Sequence, residues 1–251
     1  MEKILEVKNL NKTYYKAKKA YPAVHDVSFF VDESSCVGIV GESGCGKSTI
    51  ARMITCLTEP DSGSIRLNGQ ELEKSRKRHL KYLYKNVQMV FQTPQDSFDP
   101  RRSLGDGIME SMINQGLKKK EARERMRELL AMVELEEKYA YRYPHEVSGG
   151  QCQRAAIARA LAVRPRLLIC DEATSALDVT VQSQIISLLK KLRKEMGLSI
   201  LLICHDLALV QYLCDYVLVM YDGAIVEDGI PDDVIMHPKQ EYTKVLIDSV
   251  L

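Results

Sequence analysis

Nine consecutive residues, Gly41-Glu42-Ser43-Gly44-Cys45-Gly46-Lys47-Ser48-Thr49, constrain this 251-residue chain more than any other stretch. They follow the apolar run Val37-Gly38-Ile39-Val40 and precede a helical pattern that reaches about Cys56. Strand, glycine-rich turn and helix in that order, with the spacing GxxxxGK[ST], describe a phosphate-binding loop. The glycines let the backbone curl until successive N–H groups point inward at an anion. The helix that follows adds the positive end of its dipole. Lys47 supplies a point charge for β- and γ-phosphates, and the Ser48 hydroxyl is placed to reach a Mg²⁺ ion.

Such a loop belongs on a parallel sheet, and the rest of the chain predicts one. Val37 to Val40, Val87 to Phe91, Leu167 to Cys170 and Ser199 to Cys204 are continuous apolar runs, the pattern of strands covered on both faces. Helical periodicity fills Lys118 to Val133 and Thr180 to Met196, and an Ala- and Arg-rich helix is expected from Gln151 to Val163, ending before Pro165. Val217 to Tyr221, then Asp222-Gly223, then Ala224 to Glu227 read as a hairpin with a type I′ turn. Between Gln92 and about Arg159 strand signals vanish, so a helical subdomain is predicted between two strands of the main sheet. Lys74 to Lys85, basic and without an acidic residue, reads as a solvated face.

The run Arg166-Leu167-Leu168-Ile169-Cys170-Asp171-Glu172 supplies the second half of a site. A buried strand that ends in two carboxylates delivers both to the sheet edge where ligands of open α/β folds sit. Asp171 is expected to hold Mg²⁺, and Glu172 to orient and deprotonate an attacking water. Loop and carboxylates together predict a P-loop NTPase. Charge balance fits: 35 basic against 34 acidic residues argue against a protein that coats nucleic acid, so no nucleic-acid partner is expected. Seven cysteines, several in apolar runs and none in a CxxC pair, read as small buried hydrophobes in a reducing compartment. The start lacks the pattern of a signal peptide, and the longest apolar run, about Ile200 to Cys204, is too short to span a bilayer. A cytoplasmic chain is expected.

Val147-Ser148-Gly149-Gly150-Gln151-Cys152-Gln153-Arg154 closely resembles the LSGGQxQR signature of ABC (ATP-binding cassette) ATPases, with Val147 in place of the usual Leu. Small residues at a helix start expose backbone N–H groups, a second anion receptor. The companions stand in family order. Gln92 looks like the Q-loop glutamine, a Mg²⁺ ligand. Ser175-Ala176-Leu177-Asp178 resembles the D-loop, and His205 the switch histidine at the γ-phosphate. Tyr14 resembles the aromatic that stacks on adenine, with Tyr15 its alternative. Ala173 stands where the family usually has Pro.

The resemblance implies a RecA-like P-loop NTPase core with an N-terminal antiparallel β-subdomain (about 1–92 and 160–228), a helical subdomain (about 93–159) and a short tail (229–251). It implies ATP and Mg²⁺ at Gly41 to Thr49, Gln92 and Asp171. Catalysis falls to Glu172 and His205, and Ser148 to Gln151 close over the nucleotide of a second cassette in a head-to-tail dimer. The segments Phe91 to Arg101 and Ser175 to Gln182 are similar to those of dipeptide, oligopeptide and nickel importers. His237-Pro238-Lys239-Gln240-Glu241-Tyr242-Thr243 resembles their tail motif, with Gln240-Glu241 where His-Pro usually stands. That subfamily implies two transmembrane permease subunits, an extracytoplasmic solute-binding protein, and a place on the cytoplasmic face of the membrane, with the insert around Asp96 to Ile113 touching the permeases. A non-transport ABC ATPase or a phosphonate-utilisation accessory protein is the alternative. The chain stops at Leu251 without the cysteine-bearing tail of some members, so no iron–sulfur cluster is expected.

Overall fold

The computed structural model describes residues 2–16, 19–72, 77–175 and 177–248. Lys74 and Arg76 of the basic stretch and Ala176 of the D-loop segment lie outside the described residues. The chain opens with two long antiparallel strands, β1 (Lys3–Lys16) and β2 (Lys19–Asp32). It enters the core through β3 (Cys36–Val40), every residue of which is buried, and α1 (Lys47–Ile54) begins on Lys47 itself. Strands β4 (Ser62–Leu67) and β5 (Gln70–Glu71) return to the first pair and complete an antiparallel sheet of order β2-β1-β4-β5.

Helix α2 (Lys77–Asn86) and strand β6 (Val87–Val90) lead into a helical region built from α3 (Leu104–Asn114), α4 (Lys119–Met132) and α5 (Gly149–Leu161). The chain returns through β7 (Leu167–Asp171), α6 (Val179–Met196), β8 (Ser199–Cys204), α7 (Leu207–Leu213), β9 (Tyr216–Tyr221) and β10 (Ala224–Gly229). Two short helices follow, α8 (Pro231–Met236) and α9 (Glu241–Asp248). The second sheet has the order β10-β9-β3-β8-β7-β6, parallel from β9 to β6, with β10 added as an antiparallel hairpin. Its turn residues Asp222 and Gly223 have φ of 44° and 83°, the two positive values a type I′ turn requires.

The period-two alternation of the parallel strands divides the interior into two cores. Val37, Ile39, Leu167, Ile169, Leu201 and Ile203 face α1 and the antiparallel sheet. Their neighbours Cys36, Val40, Leu168, Cys170, Ile200 and Leu202 face the helices α3 to α7. This is why the strands read as unbroken apolar runs. All seven cysteines are buried, and they serve as part of these cores.

Most element bounds shift from the sequence reading by a residue or two, and some departures have a plain physical reason. Strand β6 stops at Val90, so Phe91 stands outside it and is exposed. Helix α5 begins at Gly149, two residues before Gln151, because Ser148 caps it: the Ser148 hydroxyl accepts the Gln151 N–H, and the Gln151 side-chain oxygen accepts the Ser148 N–H. From Lys77 on, the basic stretch belongs to an amphipathic helix, α2, which buries Leu83 and packs Leu80 and Tyr82 against the core. Its lysines and arginines hide that apolar stripe in the linear sequence.

Candidate active site

The phosphate loop sits where β3 ends, wedged between β2 and β9. A Cβ on Gly41 (φ 154°) would lie 2.1 Å from the Met220 carbonyl oxygen, and one on Gly46 (φ 110°) 2.1 Å from that of Ala23. No side chain fits at either position. Thr49 and Ile50 donate their N–H groups to the Gly46 carbonyl, starting α1. No side chain caps that helix and its first turn holds no acidic residue, so its positive end faces the cleft unneutralised. Lys47, only 3% exposed, donates its ammonium to the carbonyls of Gly41 (2.7 Å) and Glu42 (2.8 Å).

The next residue of α1 reaches across to β7. The Ser48 hydroxyl donates to Asp171 Oδ1 at 2.8 Å. Asp171 is 8% exposed, and burial pushes its carboxyl above the usual aspartate value. The Ser48 hydrogen bond pulls the other way, the neighbouring Glu172 charge adds to the rise, and Arg52 and Lys47 counter it. Glu172 follows with φ 48°, a left-handed conformation uncommon for a glutamate, and its N–H donates to the Ile203 carbonyl of β8 at 2.8 Å. That bond ties the carboxylate pair to the adjacent strand end. Gln92 donates its side-chain amide to the Ser175 hydroxyl (3.1 Å), and that hydroxyl donates to the Glu172 carbonyl (3.0 Å).

These groups enclose a cleft of about 400 Å³ lined by Tyr14, Ser43, Lys47, Gln92 and Glu172 among others. Tyr14 is 39% exposed and faces it. Tyr15 is 76% exposed and, one residue along the strand, points to the opposite face of β1. A second hollow beside it is lined by Ser48, Arg52, Gln92 and Asp171. The oxygens gathered there, a hydroxyl, a carboxylate and the free side-chain oxygen of an amide, are the hard donors a Mg²⁺ ion takes.

The other sequence-derived residues stand outside the cleft. Ser148 to Gln151 form the start of α5, Ser148 exposed and the next three residues half-buried, with Gln151 donating to the Tyr139 hydroxyl at 2.8 Å. Asp178 caps α6 by accepting the Val181 N–H at 3.0 Å. His205 is exposed, one residue past β8 and two past the carbonyl that holds Glu172.

Sequence reasoning missed two residues that shape the site. Ser175 entered the sequence reading only as the first residue of the D-loop resemblance, yet its hydroxyl joins Gln92 to Glu172. Arg159 of α5 donates to the Ser97 carbonyl and lies 4.9 Å over the Phe98 ring, tying the signature helix to the segment that follows Gln92. Burial lowers its pKa. An arginine within the Ala-rich, buried face of α5 was the available signal.

The Asp171 environment predicts a trade of stability for function. A carboxyl whose folded pKa is raised disfavours its charged form in the native state, so folding loses stability as pH climbs through that pKa. Asp171→Asn keeps an oxygen for the Ser48 hydroxyl and removes the buried charge. Its melting temperature without nucleotide is expected to match or exceed the wild type at pH 7, with the difference vanishing below the ordinary aspartate range. A clear drop at pH 7 in differential scanning calorimetry would show the carboxylate to be net stabilising.

Comparison with known proteins identifies the family. A family model described as ABC transporter matches residues 24–175. The chain is 45% identical over 253 residues to the oligopeptide transport ATP-binding protein OppF of Bacillus subtilis, covering 99% of this chain and 83% of that protein. It is 40% identical over 256 residues to the di/tripeptide transport ATP-binding protein DppF of Pseudomonas aeruginosa, covering 99% and 79%. Among solved structures, the dimeric ATP-binding cassette MJ0796, in a post-hydrolysis state bound to ADP and Pi, superposes with a TM-score of 0.82 at 31% identity, over 90% of this chain and 98% of that one. The family model and these identities over nearly the whole chain place it in the ABC transporter family, as an ATP-hydrolysing cassette.

Proposed function

We propose that this cassette drives the import of peptides, working with a second cassette and two permeases on the cytoplasmic face of a membrane, and with a solute-binding protein outside it. The observation that carries the reading is similarity at 40–45% identity, over nearly the whole chain, to proteins named for oligopeptide and di/tripeptide transport. No described helix is long and apolar enough to cross a membrane, which fits a subunit that works through membrane partners.

The mechanism follows from the residues in the cleft. Tyr14 stacks on adenine, and the loop from Gly41 to Thr49 wraps the phosphates with its N–H groups. Lys47 exchanges its carbonyl partners for β- and γ-phosphate oxygens. Ser48, Asp171 and Gln92 would hold Mg²⁺, which when bound neutralises charge on the phosphate oxygens. Glu172 orients a water in line with the γ-phosphorus and takes its proton. His205 and the Ser148–Gln151 receptor of a partner cassette complete the charge around the γ-phosphate, and Asp178 stands at the seam. Because this helix start lies outside the chain's own cleft, with Ser148 exposed, it is free to serve a neighbour's. The segment from Asp96 to Ile113 meets the permeases, so closing and opening of the pair becomes a transport stroke.

A tagged copy expressed in its host and purified from detergent-solubilised membranes tests the assignment. Recovery of a second cassette together with polytopic membrane subunits is expected. Recovery with ribosomes or soluble enzymes alone would overturn it.

A further inference from the structure

The tail motif from His237 to Thr243 has no part in the site described so far, yet the fold brings it to the phosphate loop. Glu227 of β10, 7% exposed, accepts the N–H groups of Lys239 (2.9 Å) and Gln240 (3.0 Å), the two residues ahead of α9. Burial pushes this carboxyl up, but the Thr243 hydroxyl and those two N–H groups outweigh it and hold it below the usual glutamate value. A buried carboxylate thus fixes where α9 begins.

Tyr242, the second residue of α9, then lies against Tyr221 of β9, ring centroids 4.3 Å apart, and its hydroxyl accepts the Glu42 N–H at 2.9 Å. Burial raises the pKa of this phenol. The N–H of Glu42 and the carbonyl of Gly41 belong to one planar peptide unit. Lys47 holds its carbonyl end at 2.7 Å, and Tyr242 holds its N–H end from outside the loop. Gly223 braces the loop a second time from the same side, donating its N–H to the Cys45 carbonyl at 3.0 Å.

Gly41, without a Cβ, offers little resistance to rotation of that peptide plane. A flipped plane would turn an N–H, rather than a carbonyl, toward the Lys47 ammonium. We propose that Tyr242 is a positioning residue for the phosphate loop: its hydroxyl locks the Gly41–Glu42 peptide in the orientation that keeps Lys47 and the loop N–H groups aimed at phosphate. The lock matters most once Lys47 turns to the nucleotide, because Tyr242 then holds the plane alone. This inference rests on the reading of the cleft as an ATP site.

Tyr242→Phe in the full chain tests it, since the ring and its contact with Tyr221 remain and only the hydroxyl is lost. KM and Kd for ATP are expected to rise about three- to tenfold, the span of one neutral hydrogen bond. The change in kcat should stay below about twofold, because the bond grips loop geometry and not the reacting atoms. Amide hydrogen exchange at Glu42 should quicken by a similar factor, a readout that a general loss of stability would not confine to this residue. Wild-type KM together with wild-type exchange at Glu42 would overturn the proposal. So would an unchanged KM with a lowered melting temperature, which would make Tyr242 a packing residue only. Failure of the wild-type chain itself to bind ATP would overturn the nucleotide reading, and this inference with it.

Discussion

Glu172→Gln is expected to bind ATP about as tightly as the wild-type chain and to hydrolyse it about 10²- to 10⁴-fold more slowly, the usual contribution of a positioned general base. The backbone conditions for that outcome are set independently of the carboxylate. The Glu172 N–H is held by the Ile203 carbonyl and its own carbonyl accepts the Ser175 hydroxyl, so the amide side chain enters the cleft from the same anchor. An amide of equal size can still orient a water but cannot take its proton. Replacement also removes a negative charge beside Asp171, which favours nucleotide binding. Phosphate release under saturating ATP, alongside a titration with a fluorescent nucleotide, separates the two effects. Turnover at the wild-type rate would remove Glu172 from the catalytic role.

The residues of this prediction were legible in the sequence for a physical reason. A phosphate loop and a strand ending in two carboxylates are local constructions, so their chemistry is written in consecutive residues. Strand β8 covers Ser199–Cys204, the run read as a strand, because a strand buried on both faces leaves an unbroken apolar record. The antiparallel partner sheet was expected only through family resemblance, since its half-exposed strands carry many lysines. Helix α2 was masked by its basic face, and α8 and α9, six and eight residues long, leave too few turns for a periodic signal. The ties that finish the site are long-range. Gln92 meets Ser175 across 83 positions and Tyr242 meets Glu42 across 200, and neither pairing has a local signature. The motif containing Tyr242 stood out in the sequence, but only as a mark of subfamily. Its contact with the phosphate loop emerges from the register of β10 and the Glu227 anchor.

Lys47→Ala separates charge from shape in the same loop. The ammonium is buried and its two carbonyl partners stand at 2.7 and 2.8 Å, so folding has already removed it from water. Burying a charge is expensive, and the two hydrogen bonds only offset that expense. Deleting the side chain therefore relieves the buried charge while it strips two carbonyls of a partner, and the opposing changes should leave the melting temperature within a few degrees of wild type. The nucleotide has no such compensation. Charged hydrogen bonds contribute about 1.5–3 kcal/mol, which predicts an ATP affinity lower by roughly 10- to 150-fold. Isothermal titration of the variant with ATP, with the melting curve as the control on folding, measures both quantities. Unchanged affinity would mean that the loop does not hold a triphosphate. A collapsed melting curve would mean instead that Lys47 is a structural cation, needed by the Gly41 and Glu42 carbonyls whether or not phosphate ever enters the cleft.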